Sequence, residues 1–279
     1  MPSFSILCAN LGNAEVKYFN PNQLNKLVSR AVERRITRRV RHLNPDVVVY
    51  QESIGHLEYR GRDPEQPQIR RILGTDYSIV ADKRFQFEGI AIKTSVGRIL
   101  GCLPGNYKKW PQSTTQDNSC DENFGNLWAT IRLKDGFEFE LAAFHLHSIN
   151  ARCRVQTLMN MLIGNPAKLQ QPLLGHPNLL IAGDFNLDPW RQDDPSERIF
   201  RFIVGRGWRD RPLKCHNRLA ADAKPYLTSI FPFLSRTIDM VWSNFAAGEL
   251  DALGATPGTK RLDGGRGCDH LALFGILNY

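Results

Sequence analysis

The sequence predicts an α/β fold with mainly antiparallel sheets, and three features carry that prediction. Short apolar runs of strand length alternate with amphipathic stretches along all 279 residues. Asp135-Gly136 joins two long apolar runs, as a tight hairpin turn does. No internal repeat and no Pro/Gly/Ser-rich linker divides the chain, so one domain is expected over residues 1–279. Apolar residues make up 42% and charged residues 23%, which excludes a disordered or fibrous chain and leaves material for a large core.

The first strand is expected at residues 3–10, a buried run ending on Asn10. A helix follows over 24–43, where Leu24, Val28, Val32, Ile36, Val40 and Leu43 recur at steps of mostly four, as one helix face requires. Asn44-Pro45 stops it, because a residue before proline is driven out of the α region. Val47-Val48-Val49-Tyr50 marks a second strand over 46–51. Further strands are expected at 77–80, 88–93, 127–133 and 137–147, the last two flanking Lys134-Asp135-Gly136. Then come a helix over 152–163, a strand over 178–182 and a helix over 196–205 with Ser196 as its N-cap. Strands at 237–242 and 270–276 complete the order. The longest irregular stretch, 103–126, is polar, and a loop of that length in a compact domain ordinarily serves function or moves.

Six cysteines lie at 8, 102, 120, 153, 215 and 268, with no Cys-x-x-Cys pair and no histidine at zinc-ligand spacing. Reduced, mostly buried thiols are therefore expected. No apolar run approaches the ~20 residues that cross a bilayer. The start, Met1-Pro2-Ser3-Phe4, lacks a basic region followed by an apolar stretch, so the chain reads as cytoplasmic. The net charge of +8 suits nucleic acid, anionic lipid or a merely soluble basic protein.

Polar residues gather at the ends of the expected strands, where loops form sites. Asn10 ends the first, and Gln51-Glu52 ends the second. His145 and His147 share one face of the hairpin's return strand by period two. Asp184 and Asn186 follow the apolar run 179–183, Asp239 sits within 237–242, and Asp269-His270 opens the last strand. A carboxylate at a strand end is commonly a turn former or cap, and a histidine beside apolar residues is commonly structural. Asp239 is more telling, since an acid in an apolar strand carries a desolvation cost unless it is paired. Taken together, the oxygen donors suit a hard cation such as magnesium, and Asp with His supplies a base and partner for activating water.

In this order, the blocks resemble those of the endonuclease/exonuclease/phosphatase (DNase I-like) superfamily. The matching blocks are Asn10, Gln51-Glu52, Phe144-His145-Leu146, Gly183-Asp184-Phe185-Asn186, Ile238-Asp239-Met240-Val241 and Cys268-Asp269-His270. Two depart from the family pattern: Phe144 stands for Thr, and Cys268 for Ser. Leu146-His147-Ser148 also fits an "L-H-S" block, so either His145 or His147 would be the phosphate-contacting histidine, with His145 favoured. The resemblance implies a four-layer α/β/β/α sandwich whose two mainly antiparallel sheets pack face to face. It also implies a hydrolase, a magnesium-dependent phosphoesterase that uses in-line attack of water, with manganese as a substitute ion. Glu52 would bind the metal, with Asn10 and Asp269 as ligands or orienters. Asp184 would activate the water, Asn186 would donate to a phosphate oxygen, Asp239 would hold His270, and His145 would stabilise the transition state. No acid or base of the set is missing, which argues against a non-catalytic binding module.

Family substrates range from nucleic acids to lipid head groups and inositol phosphates, so the distribution of cations matters. Seven basic residues and one acid, Glu33, lie between Lys26 and Arg41, with Arg30, Arg34, Arg38 and Arg41 in a stripe. That stripe is either a solvated helix face or a surface for nucleic acid or anionic membrane. Lys83 and Arg84 lie in an expected hairpin loop, Lys108, Lys109 and Trp110 in the long insertion, and Lys260, Arg261 and Arg266 in the Gly-rich loop before Asp269. Cations beside an aromatic suit a phosphodiester backbone with a base to stack. A nuclease acting on DNA or RNA is thus the leading expectation, and a sphingomyelinase-like or inositol-phosphate phosphoesterase the alternative.

Overall fold

The computed structural model describes residues 1–11, 24–53, 68–81, 88–102, 126–147, 150–163, 173–190, 195–206, 212–221, 226–228, 236–263 and 270–279. In chain order the elements are β1 (Ser3–Asn10), α1 (Leu24–Leu43), β2 (Val47–Gln51), α2 (Gln68–Leu73), β3 (Tyr77–Ala81) and β4 (Gly89–Lys93). There follow β5 (Gly97–Cys102), β6 (Asn126–Leu133), β7 (Glu138–His145), α3 (Ala151–Leu158), β8 (Leu179–Asp184) and α4 (Pro195–Arg206). The last are β9 (Lys214–Cys215), β10 (Asp239–Ser243), β11 (Leu250–Ala252) and β12 (Leu273–Asn278).

Side-chain alternation along the strands builds the layers. Ile6 and Cys8 of β1, Val47 and Val49 of β2, and Ile90 and Ile92 of β4 face one core. Leu127 to Leu133 at every second position of β6, Leu141 and Ala143 of β7, and Leu180 and Ala182 of β8 face it from the other sheet. The opposite parity of the first sheet, Leu7, Ala9, Val48 and Tyr50, packs on Ile36 and Val40 of α1 and Ile69 and Ile72 of α2. The opposite parity of the second, Ala142, Phe144, Leu179 and Ile181, packs on Leu158 of α3 and Phe200 and Val204 of α4. The result is helix, sheet, sheet, helix.

The strand order is β11-β12-β1-β2-β4-β3 in one sheet and β5-β6-β7-β8-β10-β9 in the other. Both sheets are mixed: β1 with β2 and β7 with β8 are parallel, and the remaining pairs are antiparallel. This topology positions the site. The C-terminal ends of β1, β2, β7 and β8 share one end of the sandwich with the starts of their antiparallel partners β4, β10 and β12.

The expected elements are present with shifted ends. The strand expected at 178–182 runs on to Asp184, and the last strand begins at Leu273 rather than residue 270. Ser196 is not an N-cap: α4 begins at Pro195, whose fixed φ and missing N–H suit a first helical turn, and Ser196 is buried. Asn150 instead caps α3, its Oδ1 accepting from the N–H of Arg152 (3.0 Å) and Cys153 (3.3 Å). β5 is an unforeseen strand, because Gly97 and Gly101 leave little apolar alternation to read and a bulge interrupts its pairing at Ile99/Gly101. Cys153 forms a disulfide, correcting the expectation of reduced thiols, while Cys8 and Cys215 are free. Dispersed cysteines give no spacing signal for such a bond, since folding alone brings the partners together. Most of the long stretch at 103–126 lies outside the described residues. Among the described residues no helix is long and apolar enough to cross a membrane.

One buried histidine fastens the second sheet away from the strand ends that gather above. His216 donates from Nδ1 to the Gly248 carbonyl (3.1 Å) and accepts at Nε2 from the Ser243 hydroxyl (2.7 Å). Burial pushes its pKa below the usual value; the Gly248 carbonyl opposes that shift and Lys214 adds to it. The unfolded chain takes up a proton near pH ~6.5 that the folded ring refuses. Stability is expected to hold above that pH and to decline as pH falls below it. Thermal melts across the acid range test this, with His216→Gln predicted to show the shallower pH slope.

Candidate active site

The polar residues at the site end continue the face parity of the central core. Asn10 follows Ile6 and Cys8, Asp184 follows Leu180 and Ala182, and His145 follows Leu141 and Ala143. Asp239 precedes Val241, and Glu88 precedes Ile90. Register does the rest, since His145 pairs with Asp184 across β7 and β8, and Asp239 with Asp184 across β10 and β8. A polar cap thus closes the apolar interlayer. Asn10, His145, Asp184, Asp239 and Glu88 are all buried.

Asp184 is the hub. Its Oδ1 accepts the backbone N–H of Asn186 (2.9 Å), and its Oδ2 accepts the Asn10 side-chain amide (3.1 Å). His145 Nε2 and His270 Nε2 approach the same Oδ2 at 3.9 and 3.8 Å. The Asn10 amide also donates to Glu52 Oε1 at 3.3 Å, and His145 Nε2 lies 3.5 Å from that oxygen. His270 donates from Nδ1 to Asp239 Oδ2 (2.8 Å), and His145 from Nδ1 to Glu88 Oε1 (2.8 Å). His270 therefore bridges two acids, and His145 lies among three.

The backbone makes this possible at defined points. Gly183 adopts φ 140°, and a Cβ there would collide with the Phe144 backbone oxygen, so only glycine lets β8 approach β7 just before Asp184. Glu52 and Asn186 have φ 53° and 49°, left-handed values that are rare outside glycine and that gather at functional sites. Asn186 donates from its side chain to the Leu146 carbonyl (2.8 Å). The start of β10 is held by Thr228, whose hydroxyl accepts from the N–H of Ile238 (3.0 Å) and Asp239 (2.9 Å).

The electrostatics follow from burial and pairing. Burial pushes the Asp184 carboxyl above the usual range; His270 and His145 pull it back, and Asp239 reinforces the rise. Burial pushes the His145 ring down, but the Glu88 hydrogen bond and charge, with Asp184 and Glu52 adding, carry it up to about 9. At neutral pH His145 is an imidazolium facing Asp184.

The structure brings together Asn10, Glu52, His145, Asp184, Asn186, Asp239 and His270. Asp269, Lys83, Arg84 and Arg266 lie outside the described residues, as do Lys108, Lys109 and Trp110. His147 accepts the Asn150 N–H at its Nδ1 (3.0 Å), and its carbonyl accepts from the buried Arg154 (2.9 Å). Arg261 is held by the buried Asp263 through two hydrogen bonds (3.0 and 2.8 Å), whereas Lys260 is exposed. Sequence reasoning missed Glu88. The signal was there, an acid heading the apolar run Gly89–Lys93, and the argument applied to Asp239 would have singled it out.

Two features bear on a cation. Asp184, Asp239 and His270 offer ligand atoms within 4.8 Å of one another, and Asp239 Oδ1 is buried with no hydrogen-bond partner. Glu52 is the most open carboxylate of the cluster, with 17% of its side chain exposed against 2% for Asp184, Asp239 and Glu88. The donor set of carboxylate and amide oxygens fits a hard divalent ion.

This architecture, two mixed sheets face to face with an Asp-centred cluster at one end, is the fold of solved endonuclease/exonuclease/phosphatase proteins. The endonuclease/exonuclease/phosphatase from Bacteroides vulgatus superposes with a TM-score of 0.66 at 14% identity, covering 100% of this chain and 99% of that one. D. rerio TDP2 complexed with single strand DNA product superposes at 0.60 and 15% identity, covering 100% of both chains. The Bacteroides thetaiotaomicron mannosyl-6-phosphatase gives 0.64 at 17% identity, covering 99% of this chain and 100% of that one. No protein-family model and no curated protein matches the sequence. Identities this low establish the shared fold.

Two measurements probe the cluster. Because Glu88 holds the folded pKa of His145 above its unfolded value, the pair's contribution to stability is complete below pH ~6.5 and lost as pH rises through about 9. Glu88→Gln is expected to flatten that alkaline loss in urea melts and to lower stability by about 3 kcal/mol, as breaking a buried pair does. Gly183→Ala is expected to destabilise by roughly 3 kcal/mol, through its positive φ and the collision with Phe144, in the same melts.

Proposed function

We propose that the protein is a divalent-metal-dependent phosphodiesterase, a single catalytic domain over residues 1–279 that cleaves DNA or RNA. The convergence of Asn10, His145 and the Asp239–His270 pair on Asp184 Oδ2 carries this reading. A buried carboxylate with a raised pKa, held by an amide on each oxygen, is suited to take a proton from an attacking water. Asp239 fixes the tautomer of His270 so that Nε2 faces the water and phosphate position. His145, kept protonated by Glu88, donates toward a phosphoryl oxygen as charge builds there. Asn186 adds a side-chain N–H to that anchorage.

Glu52, Asn10 and Asp269 are the residues that would hold Mg2+, with Mn2+ as a substitute; the openness of Glu52 supports that choice. An ion at Asp239 and His270 would compete with their hydrogen bond. When bound, the ion supplies charge neutralisation at the phosphoryl and leaving oxygens. His147, Lys83, Arg84, Lys260, Arg261 and Arg266 would flank the substrate, with Lys260 the exposed cation among those described. The excess of cations favours a nucleic acid, and the TDP2 complex with a single strand DNA product shows that the fold can present such a strand. The mannosyl-6-phosphatase shows that it also serves a sugar phosphate. A cytoplasmic location is kept as our reading and requires the Cys153 disulfide to be reducible there, which thiol trapping in intact cells reports.

Asp184→Ala is expected to lower hydrolysis by about 10³-fold or more while the melting transition persists. EDTA should abolish turnover, and added magnesium or manganese should restore it. A panel of supercoiled DNA, abasic-site duplex, RNA, sphingomyelin and inositol phosphates should show strand cleavage. Release of phosphocholine or free phosphate without strand cleavage would replace nucleic acid with a lipid or inositol phosphate substrate.

A further inference from the structure

The outer face of α1 carries a charge arrangement that neither the fold nor the site uses. Ile36 and Val40 point into the core beneath the helix. On the opposite side Arg34, Arg38 and Arg41 fall within an arc of about 60°, with Arg35 beside them, at 3.6 residues per turn. All four are exposed. Glu33 is the one acid of α1, and Arg71 of α2 occupies it through two hydrogen bonds of 2.8 and 3.0 Å. Among the described residues no acid pairs with Arg34, Arg35, Arg38 or Arg41.

Such clustering costs stability, since like charges at i,i+3 and i,i+4 repel by about 0.2–0.5 kcal/mol a pair. The helix dipole compensates cations only in the last turn, which covers Arg41 but not Arg34, Arg35 or Arg38. A polyanionic partner would relieve that repulsion and release the counterions that screen it. Its kind follows from two observations. Guanidinium groups dominate the face, and they match phosphate oxygens bidentately. A helix lying in a lipid interface needs an apolar face to insert, but from Val32 to Leu43 that of α1 packs on the core, and among the described side chains of α1 and α2 no large apolar one is exposed.

We infer that this face of α1 is a docking surface for the phosphate backbone of a nucleic acid, separate from the catalytic cluster. The inference rests on the proposed substrate class for the identity of the polyanion, while the charge arrangement stands without it. β1 and β2 are parallel, so α1 carries the chain back from the site end to the far end of the sandwich. Arg34 lies about 15 Å along the axis from the start of the helix, and Arg41 about 10 Å further. The face thus lies toward the far end of the sandwich, so contact with it calls for a strand longer than the few nucleotides the cluster would hold.

The test compares the protein with its Arg34→Gln/Arg35→Gln/Arg38→Gln/Arg41→Gln variant, both in an Asp184→Ala background so that the strand survives. Anisotropy of a labelled single strand of about 30 nucleotides is followed against salt; loss of the four cations is expected to weaken binding at least tenfold and to reduce the salt slope by about 2 to 3. A melting temperature equal to or above the parent's confirms folding, since all four side chains are exposed and their removal relieves repulsion. With Asp184 intact, the variant should hydrolyse bis(p-nitrophenyl) phosphate like the parent, so failure of the catalytic reading appears separately, as absent turnover in both. Equal affinity and slope in parent and variant, or no strand binding by the parent, would overturn the inference. So would arginine-dependent binding to phosphatidylserine vesicles with strand binding unaffected.

Discussion

Burying a carboxylate between two sheets is the constraint on which the rest of this structure depends. Asp184 sits at the end of the interlayer, where an isolated charge would cost several kcal/mol. The surroundings answer it with two amides and two imidazoles. His145 is itself buried and His270 partly so, and each is tied to an acid of its own, His145 to Glu88 and His270 to Asp239. The outcome is an alternation of acid, base, acid, base, acid across the top of the sandwich. No member is electrostatically independent. That coupling explains why the strands must meet here in a single register, with Gly183 allowing the closest approach.

The fold was largely legible because its cause, alternation of apolar side chains, is written along the strands. The long strands and α1 fall where periodicity places them. Elements held by tertiary contacts are less visible: β9 and β11 span two and three residues, and β5 is interrupted by glycine and a bulge. The site was legible for a different reason. Asn10, Asp184 and Asp239 stand at the polar ends of apolar runs, a pattern with a local cost and hence a local signature. Glu88 obeys the same rule but heads a short strand outside the recognisable blocks. The role of Asn150 as a cap, and the disulfide of Cys153, depend on what folding brings near and leave no trace in spacing.

Charge is segregated by depth. The acids gather in the closed end of the interlayer, where histidines neutralise them, while arginines crowd a helix on the opposite side of the first sheet. A net charge of +8 therefore understates the contrast, because the interior cluster carries negative charge that the surface must exceed. In the function proposed above, a bound cation and a protonated His145 would let a phosphate approach that acidic interior.

The placement of β12 governs how the first sheet closes. This strand inserts between β11 and β1, so the first sheet closes only when residues 273–278 return to pair with residues 3–8. His270 comes with that segment. The second sheet draws on residues 97–243 alone, whereas the Asp239–His270 pair waits on that long-range closure. The approach of His270 to Asp184 is thus tied to the meeting of the two strands most distant in sequence.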